Sequence, residues 1–395
     1  MKSHYNHYFL IKTIVLCLIT LLYSCSENDP SSKQLNQSGQ LVNSTTKSNY
    51  STSELKLIST IGGFENLSDL IEFDIESYSI EYTTRDINGN IINASGVISI
   101  PKTDQSLSSI LLSRGTILAH SNAPSVNILP TYELGAALGY IIMTPDLIGF
   151  NTTSLSPQNY FIKEITATSS IDFMLACIQF LNQKQVDFND DLILAGYSQG
   201  GHSTFSIAES FEQKNTSEFT ISKLYAGAGG YFLNNVMSEI IDQDTYDAPS
   251  FLSLIVYSYN ENYSLELPYS YYFNSPYDNR ITSILDGSNT ISQANSQLTN
   301  EVDQLFTSTF LNSIKKKENT INNFLADNSI QPIKFEYPIE LYHSINDEIL
   351  PISTSDSLYT VLNELGNTVN YTKVTGSHSD AAIDILIRIF DDLKQ

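Results

Sequence analysis

The stretch Asp191-Leu192-Ile193-Leu194-Ala195-Gly196-Tyr197-Ser198-Gln199-Gly200-Gly201-His202 decides how this chain is read. Residues 192–195 are continuously apolar, as expected of a central parallel strand buried on both faces. Residues 202–208 follow as a helix. Between the two the chain must turn sharply at Ser198. The residues two before and two after it must then be tiny, and Gly196 and Gly200 meet that need, since a Cβ at either would clash. The turn holds the Ser198 hydroxyl at the carboxyl edge of a sheet. It also sets it over a helix N-terminus, whose free amides and dipole favour negative charge. Gly-x-Ser-x-Gly alone is a weak pattern; between an apolar strand and a helix it is a strong one.

Outward from this turn the chain alternates strands and helices. Residues 78–83 and 91–100 are β-rich, and the Asn88-Gly89 pair between them favours a hairpin turn. Short apolar runs at 110–113, 140–143, 224–229, 335–342 and 369–374 read as further strands, and 162–180, 353–365 and 381–393 as helices. The alternation predicts an α/β fold class: a mostly parallel central sheet with an antiparallel start and helices on both faces. Residues 231–334 break the rhythm. Helical patches at 302–317 and 321–328 and a Tyr-dense loop at 267–273 predict an inserted, mainly helical cap. The core is then 54–230 together with 335–395. The tyrosines suit either a lipophilic or aromatic substrate group or the cap's own core.

A serine nucleophile needs a base, and six histidines are few enough to eliminate. His4 and His7 lie in a removable leader. His202 sits on the turn's own helix and points along it. His343 ends a strand, and His120 lies in the loop after the third strand. His378 lies between the last strand and the last helix, at the carboxyl edge where the base must be, and is the choice. The imidazole needs an acid to hold its tautomer. Asp347 follows the preceding strand at the same edge, with the adjacent Glu348 as the alternate. The order Ser198, Asp347, His378 is that of the α/β-hydrolases.

With these residues in view, Gly196-Tyr197-Ser198-Gln199-Gly200-Gly201-His202 resembles the nucleophile elbow of the secretory-lipase type of α/β-hydrolase. Ser113-Arg114-Gly115-Thr116 matches the position of that family's His-Gly-Thr turn, and Asn122-Ala123-Pro124-Ser125 follows it. Pro145-Asp146-Leu147-Ile148-Gly149 is similar to its Pro-Asp-Tyr-x-Gly segment. The likeness covers roughly residues 75–385, with the cap matching in placement only. It implies an α/β-hydrolase fold with an ester-cleaving Ser198–His378–Asp347 triad and no metal or cofactor. It also implies an oxyanion hole from the backbone N–H of Gln199 and that of Thr116 or Gly115. Arg114 departs from the pattern, which has His there. Asp146 is expected to hold its loop. Two other readings are a peptidase or acyl-aminopeptidase on the same fold, and a non-catalytic surface binding protein. The chain lacks room for a propeller domain, and the complete Ser, Asp and His set weighs against a mere binder.

The N-terminus reads as an address. Residues 13–22 are a short apolar run, too short for a comfortable bilayer span and suited to a signal peptide over 1–24. Leu22-Tyr23-Ser24-Cys25 resembles a lipobox, with Cys25 as the lipidated residue, and Ser26-Glu27-Asn28-Asp29 resembles the surface-export signal of Bacteroidetes lipoproteins. Residues 25–53 then form a lipidated Cys and flexible tether. The expected location is the outer membrane, with exposure at the cell surface where that export signal operates. With 20 Lys+Arg against 43 Asp+Glu the net charge is −23, which excludes nucleic-acid binding and electrostatic docking on anionic lipid. Membrane attachment would therefore rest on lipid. Three cysteines cannot build a disulfide framework; Cys177 is expected as a buried small hydrophobe. The oligomeric state is not legible.

Overall fold

The computed structural model describes residues 37–62, 65–128, 130–214, 218–318 and 320–394. The leader 1–24, Cys25 and the start of the tether lie outside the described residues. The strands are β1 Leu41–Tyr50, β2 Ile75–Arg85, β3 Ile91–Pro101, β4 Leu107–Ser113, β5 Ile141–Pro145, β6 Phe188–Tyr197, β7 Thr220–Gly227, β8 Ile339–Ser344 and β9 Val369–Val374. They form one sheet in the order β1-β2-β3-β5-β4-β6-β7-β8-β9. The pairs β1–β2, β2–β3 and β3–β5 are antiparallel, and all pairs from β5 to β9 are parallel. The β2–β3 hairpin closes at Asp86, whose carboxylate accepts the N–H groups of Asn88 and Asn90, with Gly89 at φ +81°.

The apolar run of β6 serves two cores. Leu192 and Leu194 pack on one face with Phe173 and Cys177 of α3 (Lys163–Lys184) and Phe205 of α4 (Gln199–Lys214). Ile193 and Ala195 pack on the other with Leu134 of α2 (Pro130–Ala137) and Ile385, Ile389 and Phe390 of the final helix. Alternate side chains point to opposite faces, so a strand covered on both sides is apolar throughout. α1 (Thr52–Ile61) adds Leu55 to the second core.

Between β7 and β8 the described residues contain helices and only two isolated bridges, Thr245 with Glu301 and Phe273 with Phe306. The longer helices are α5 Leu233–Ile241, α6 Pro249–Asn262, α7 Ser308–Lys315 and α8 Thr320–Asp327. Their apolar faces make a third core that runs into Leu118, Tyr160 and Phe161 of the sheet-edge loops. The last helices are α9 Ser353–Glu364 and α10 His378–Leu393. Among the described residues no helix is long and apolar enough to cross a membrane.

Three expectations are corrected. The tether expected up to residue 53 ends early, because 41–50 is the edge strand β1. Its Ser, Thr and Asn side chains are largely exposed, and a polar edge strand needs only the backbone ladder on β2. The strand expected over 335–342 starts after Pro338, which lacks a ladder donor, so His343 lies inside β8 and not at its end. The helix expected over 302–317 is broken at 306–307, where Phe306 bridges to Phe273 and Thr307 caps α7 by accepting the Phe310 N–H.

Candidate active site

Ser198 occupies the turn between β6 and α4 with φ +59°, a left-handed conformation unfavourable for a residue with a Cβ. Its N–H donates to the Gly227 carbonyl at 2.9 Å, and its carbonyl accepts the Gly201 N–H at 2.9 Å. A Cβ on Gly196 would lie 2.3 Å from the Gly200 carbonyl oxygen, and one on Gly200 2.0 Å from that of Ser113. Both contacts are with backbone, so nothing else fits the turn. Ser198 is almost fully buried, next to side chains of α5 and α6.

His378 opens α10, where the Ser377 hydroxyl caps the helix by accepting the Asp380 N–H. Its Nδ1 lies 2.6 Å from Asp347 Oδ2. That contact places the proton on Nδ1 and leaves Nε2 as the basic nitrogen. Tyr197, next to Ser198, sets its ring 5.0 Å from the imidazole and donates its hydroxyl to the His378 carbonyl at 2.7 Å. The alternate acid, Glu348, instead accepts the His378 backbone N–H at 2.9 Å.

Asp347 lies in the loop after β8 with its side chain fully buried. Its Oδ1 accepts the N–H groups of Ile349 and Leu350 at 2.9 and 2.8 Å. His343 Nε2 stands 3.3 Å from Oδ2. Burial pushes the carboxyl up, but the donors from His343, His378 and Leu350 hold it well below the usual carboxylate range. His343 Nε2 is also 3.0 Å from the Leu350 carbonyl, and Nδ1 is 2.7 Å from the Ser355 hydroxyl. These partners assign the proton to Nε2, with Ser355 donating to Nδ1. This buried clasp was not foreseen from the sequence. Its only signal there was a histidine four residues before the acid.

The other two histidines among the described residues, His202 and His120, serve packing. His202 is buried in α4 with Nε2 2.8 Å from the Asn328 carbonyl, and burial lowers it to about 4, so it stays neutral. His120 packs edge-on against Phe150. Asp146 ties loops together: its carboxylate accepts the Ser95 hydroxyl at 2.6 Å, the Ser125 N–H at 2.8 Å and the Ser125 hydroxyl.

Gly115 stands beside the nucleophile, where a Cβ would come within 3.9 Å of Ser198 Cβ. Among the described residues the backbone N–H groups of Gln199, Gly115 and Thr116 donate to no protein acceptor. Unpaired donors around a strained serine are what a developing oxyanion requires. The space beside Ser198 is only about 20 Å³ and is walled by apolar side chains, among them Leu233, Val236, Met237 and Ile240 of α5 and Leu252 and Ile255 of α6. Tyr269, Tyr271 and Tyr272 of the Tyr-dense loop do not line it; they pack in the third core. A larger apolar cavity of about 280 Å³ lies between α2, α10 and the sheet, behind the turn, and does not include Ser198.

The sequence pattern described as "Secretory lipase" matches residues 132–383. No curated protein sequence matches the chain. Among solved structures, a Legionella pneumophila protein described as a hydrolase superposes with a TM-score of 0.83 at 23% identity, over 90% of this chain and 98% of that one. The rice cell wall degrading esterase LipA from Xanthomonas oryzae gives 0.77 at 19%, over 90% and 96%. Candida antarctica lipase A gives 0.63 at 16%, over 88% and 79%. At such identities the likeness is one of fold, that of the α/β-hydrolases. The sequence pattern, spanning well over half of the residues, goes further: the chain belongs to the secretory lipase family.

Proposed function

We propose that this carboxylic ester hydrolase works through Ser198, His378 and Asp347 by acyl transfer to water. His378 Nε2 takes the Ser198 proton as Oγ attacks the ester carbonyl. The oxyanion is received by the N–H of Gln199 and by that of Gly115 or Thr116. His378 then protonates the leaving alcohol, and the acyl-enzyme is hydrolysed by a water that His378 activates. The observation that carries this reading is the 2.6 Å contact of Asp347 with His378, whose carbonyl also accepts the hydroxyl of Tyr197, the neighbour of a serine held at positive φ. Replacing Ser198 by Ala is expected to abolish both hydrolysis of p-nitrophenyl esters and labelling by a fluorophosphonate; retained turnover would overturn the assignment.

Residues 231–334 act as the cap, and the apolar walls that α5 and α6 present beside Ser198 suit an acyl chain. A space of about 20 Å³ holds roughly one water. The cap helices must therefore shift to admit a substrate. A panel of acyl lengths, acetylated sugars and triglycerides reads out the preference; activity confined to acetyl esters would count against the acyl-chain reading.

The leader and lipobox support export as a lipoprotein anchored through Cys25, at the outer membrane. Cys25→Ser should abolish palmitate incorporation and release the enzyme from membranes. Unchanged partition would count against the anchor.

A further inference from the structure

We infer that Arg114 is the positioning residue of the oxyanion hole and that the donor it aims is the Thr116 N–H. This rests on the proposed serine mechanism.

Arg114 stands at the carboxyl end of β4, buried at 2% exposure. Its Nε and Nη2 donate to the Asp146 carbonyl at 3.1 and 2.8 Å. Its Nη1 donates to the Gly115 carbonyl at 3.0 Å and reaches the Gln199 side-chain oxygen at 3.4 Å. The guanidinium lies over the Phe150 ring, 4.4 Å from its centroid. The Asp146 carboxylate is turned to Ser95 and Ser125, so Arg114 donates to carbonyls and feels that carboxylate only through space.

A buried cation that hydrogen-bonds no carboxylate is an expensive way to fill space. What a guanidinium offers here is a rigid planar fork with five donors. The three residues it grips follow three adjacent strands: Gly115 after β4, Asp146 after β5 and Gln199 after β6. Two of them border the proposed oxyanion hole. The Gly115 carbonyl and the Thr116 N–H belong to one planar trans peptide unit and point in opposite directions. Holding that carbonyl toward the guanidinium points the Thr116 N–H away from it, and a flip of the unit would break the Nη1 contact. The Gly115 N–H belongs to the preceding peptide and is not held in this way. The same guanidinium touches the side chain of Gln199, whose own N–H is the first donor.

The test uses the full mature enzyme with a p-nitrophenyl ester and a trifluoromethyl ketone as oxyanion analogue. Arg114→Lys keeps the charge and loses the fork. It is expected to lower kcat by about 10- to 100-fold, with KM changed less than about 3-fold and ketone affinity falling in parallel with kcat/KM. A folded Arg114→Lys with kcat within about 3-fold of the parent, or one that loses kcat but keeps ketone affinity, overturns the inference. Should the Arg114 variants fail to fold, replacing single residues by their α-hydroxy acids removes one N–H each. The ester at position 116 should then cost about 100-fold in kcat, and clearly more than the ester at 115; the reverse order overturns the inference. Ser198→Ala, assayed alongside, separates the two readings. If it remains active, the serine mechanism fails; if it is dead while Arg114→Lys matches the parent, only this inference fails.

Discussion

At the residue scale the site is a set of side chains whose protonation is settled by buried partners. Asp347 accepts from two backbone amides and faces two imidazoles, so it remains ionised far into acid. It sets the tautomer of His378, and Asp347→Asn reverses that preference by offering an amide N–H to Nδ1. We expect kcat for ester hydrolysis to fall by about 10³- to 10⁴-fold at neutral pH, with the fold kept. Circular dichroism and steady-state kinetics on the same preparation check both halves. The placement of Ser198, Asp347 and His378, each shortly after a parallel strand, was legible in the sequence from the strand–helix alternation. His343 and Tyr197 were not, since their contacts cross strands, and nothing local distinguishes a buried clasp from an ordinary core residue.

At the element scale the determining unit is β6–turn–α4. The turn approaches the end of β4 so closely that Gly200 touches the Ser113 carbonyl. Gly200→Ala would place a methyl 2.0 Å from that oxygen, and relief requires moving backbone. The expected outcome is a loss of about 2–3 kcal/mol in urea unfolding. Fluorophosphonate labelling should slow as well, because the same shift displaces the Ser113-Arg114-Gly115 turn. The exact strand limits escaped the sequence for local reasons. Proline at 338 delays β8, and β1 is polar because it lies at the edge, so it carries no apolar alternation to read.

At the scale of the whole molecule, acidity and burial together set the response to pH. The chain carries −23 at neutrality with a pI near 4.4. Approaching that pH removes the mutual repulsion that keeps copies apart. One buried group destabilises the fold over the same range. His202 is buried neutral, and burial lowers it to about 4. An unfolded His binds its proton near 6.5, so between pH 6.5 and 4 the unfolded chain holds more protons and stability falls as pH falls. The loss from this residue reaches about 3 kcal/mol at pH 4. Burial raises Asp146, Glu133 and Glu209, which act in the opposite sense. His202→Gln isolates the histidine: its melting temperature should drop less between pH 7 and 4.5 than that of the parent. An equal drop would remove His202 as the cause.

The sequence by itself determined the class of the fold, the turn at Ser198 and the chain order of the proposed serine, acid and base. These follow from local patterns: an apolar strand, a pair of glycines, and loops that topology sends to one edge. Only the tertiary structure decided what surrounds them. That Arg114 reaches Asp146 and Gln199, that His343 backs Asp347, and that α5 and α6 wall the space beside Ser198 while the tyrosines of 267–273 pack elsewhere all depend on contacts across the fold. Burial and hydrogen-bond geometry arise from packing the whole chain, and no local spacing encodes them.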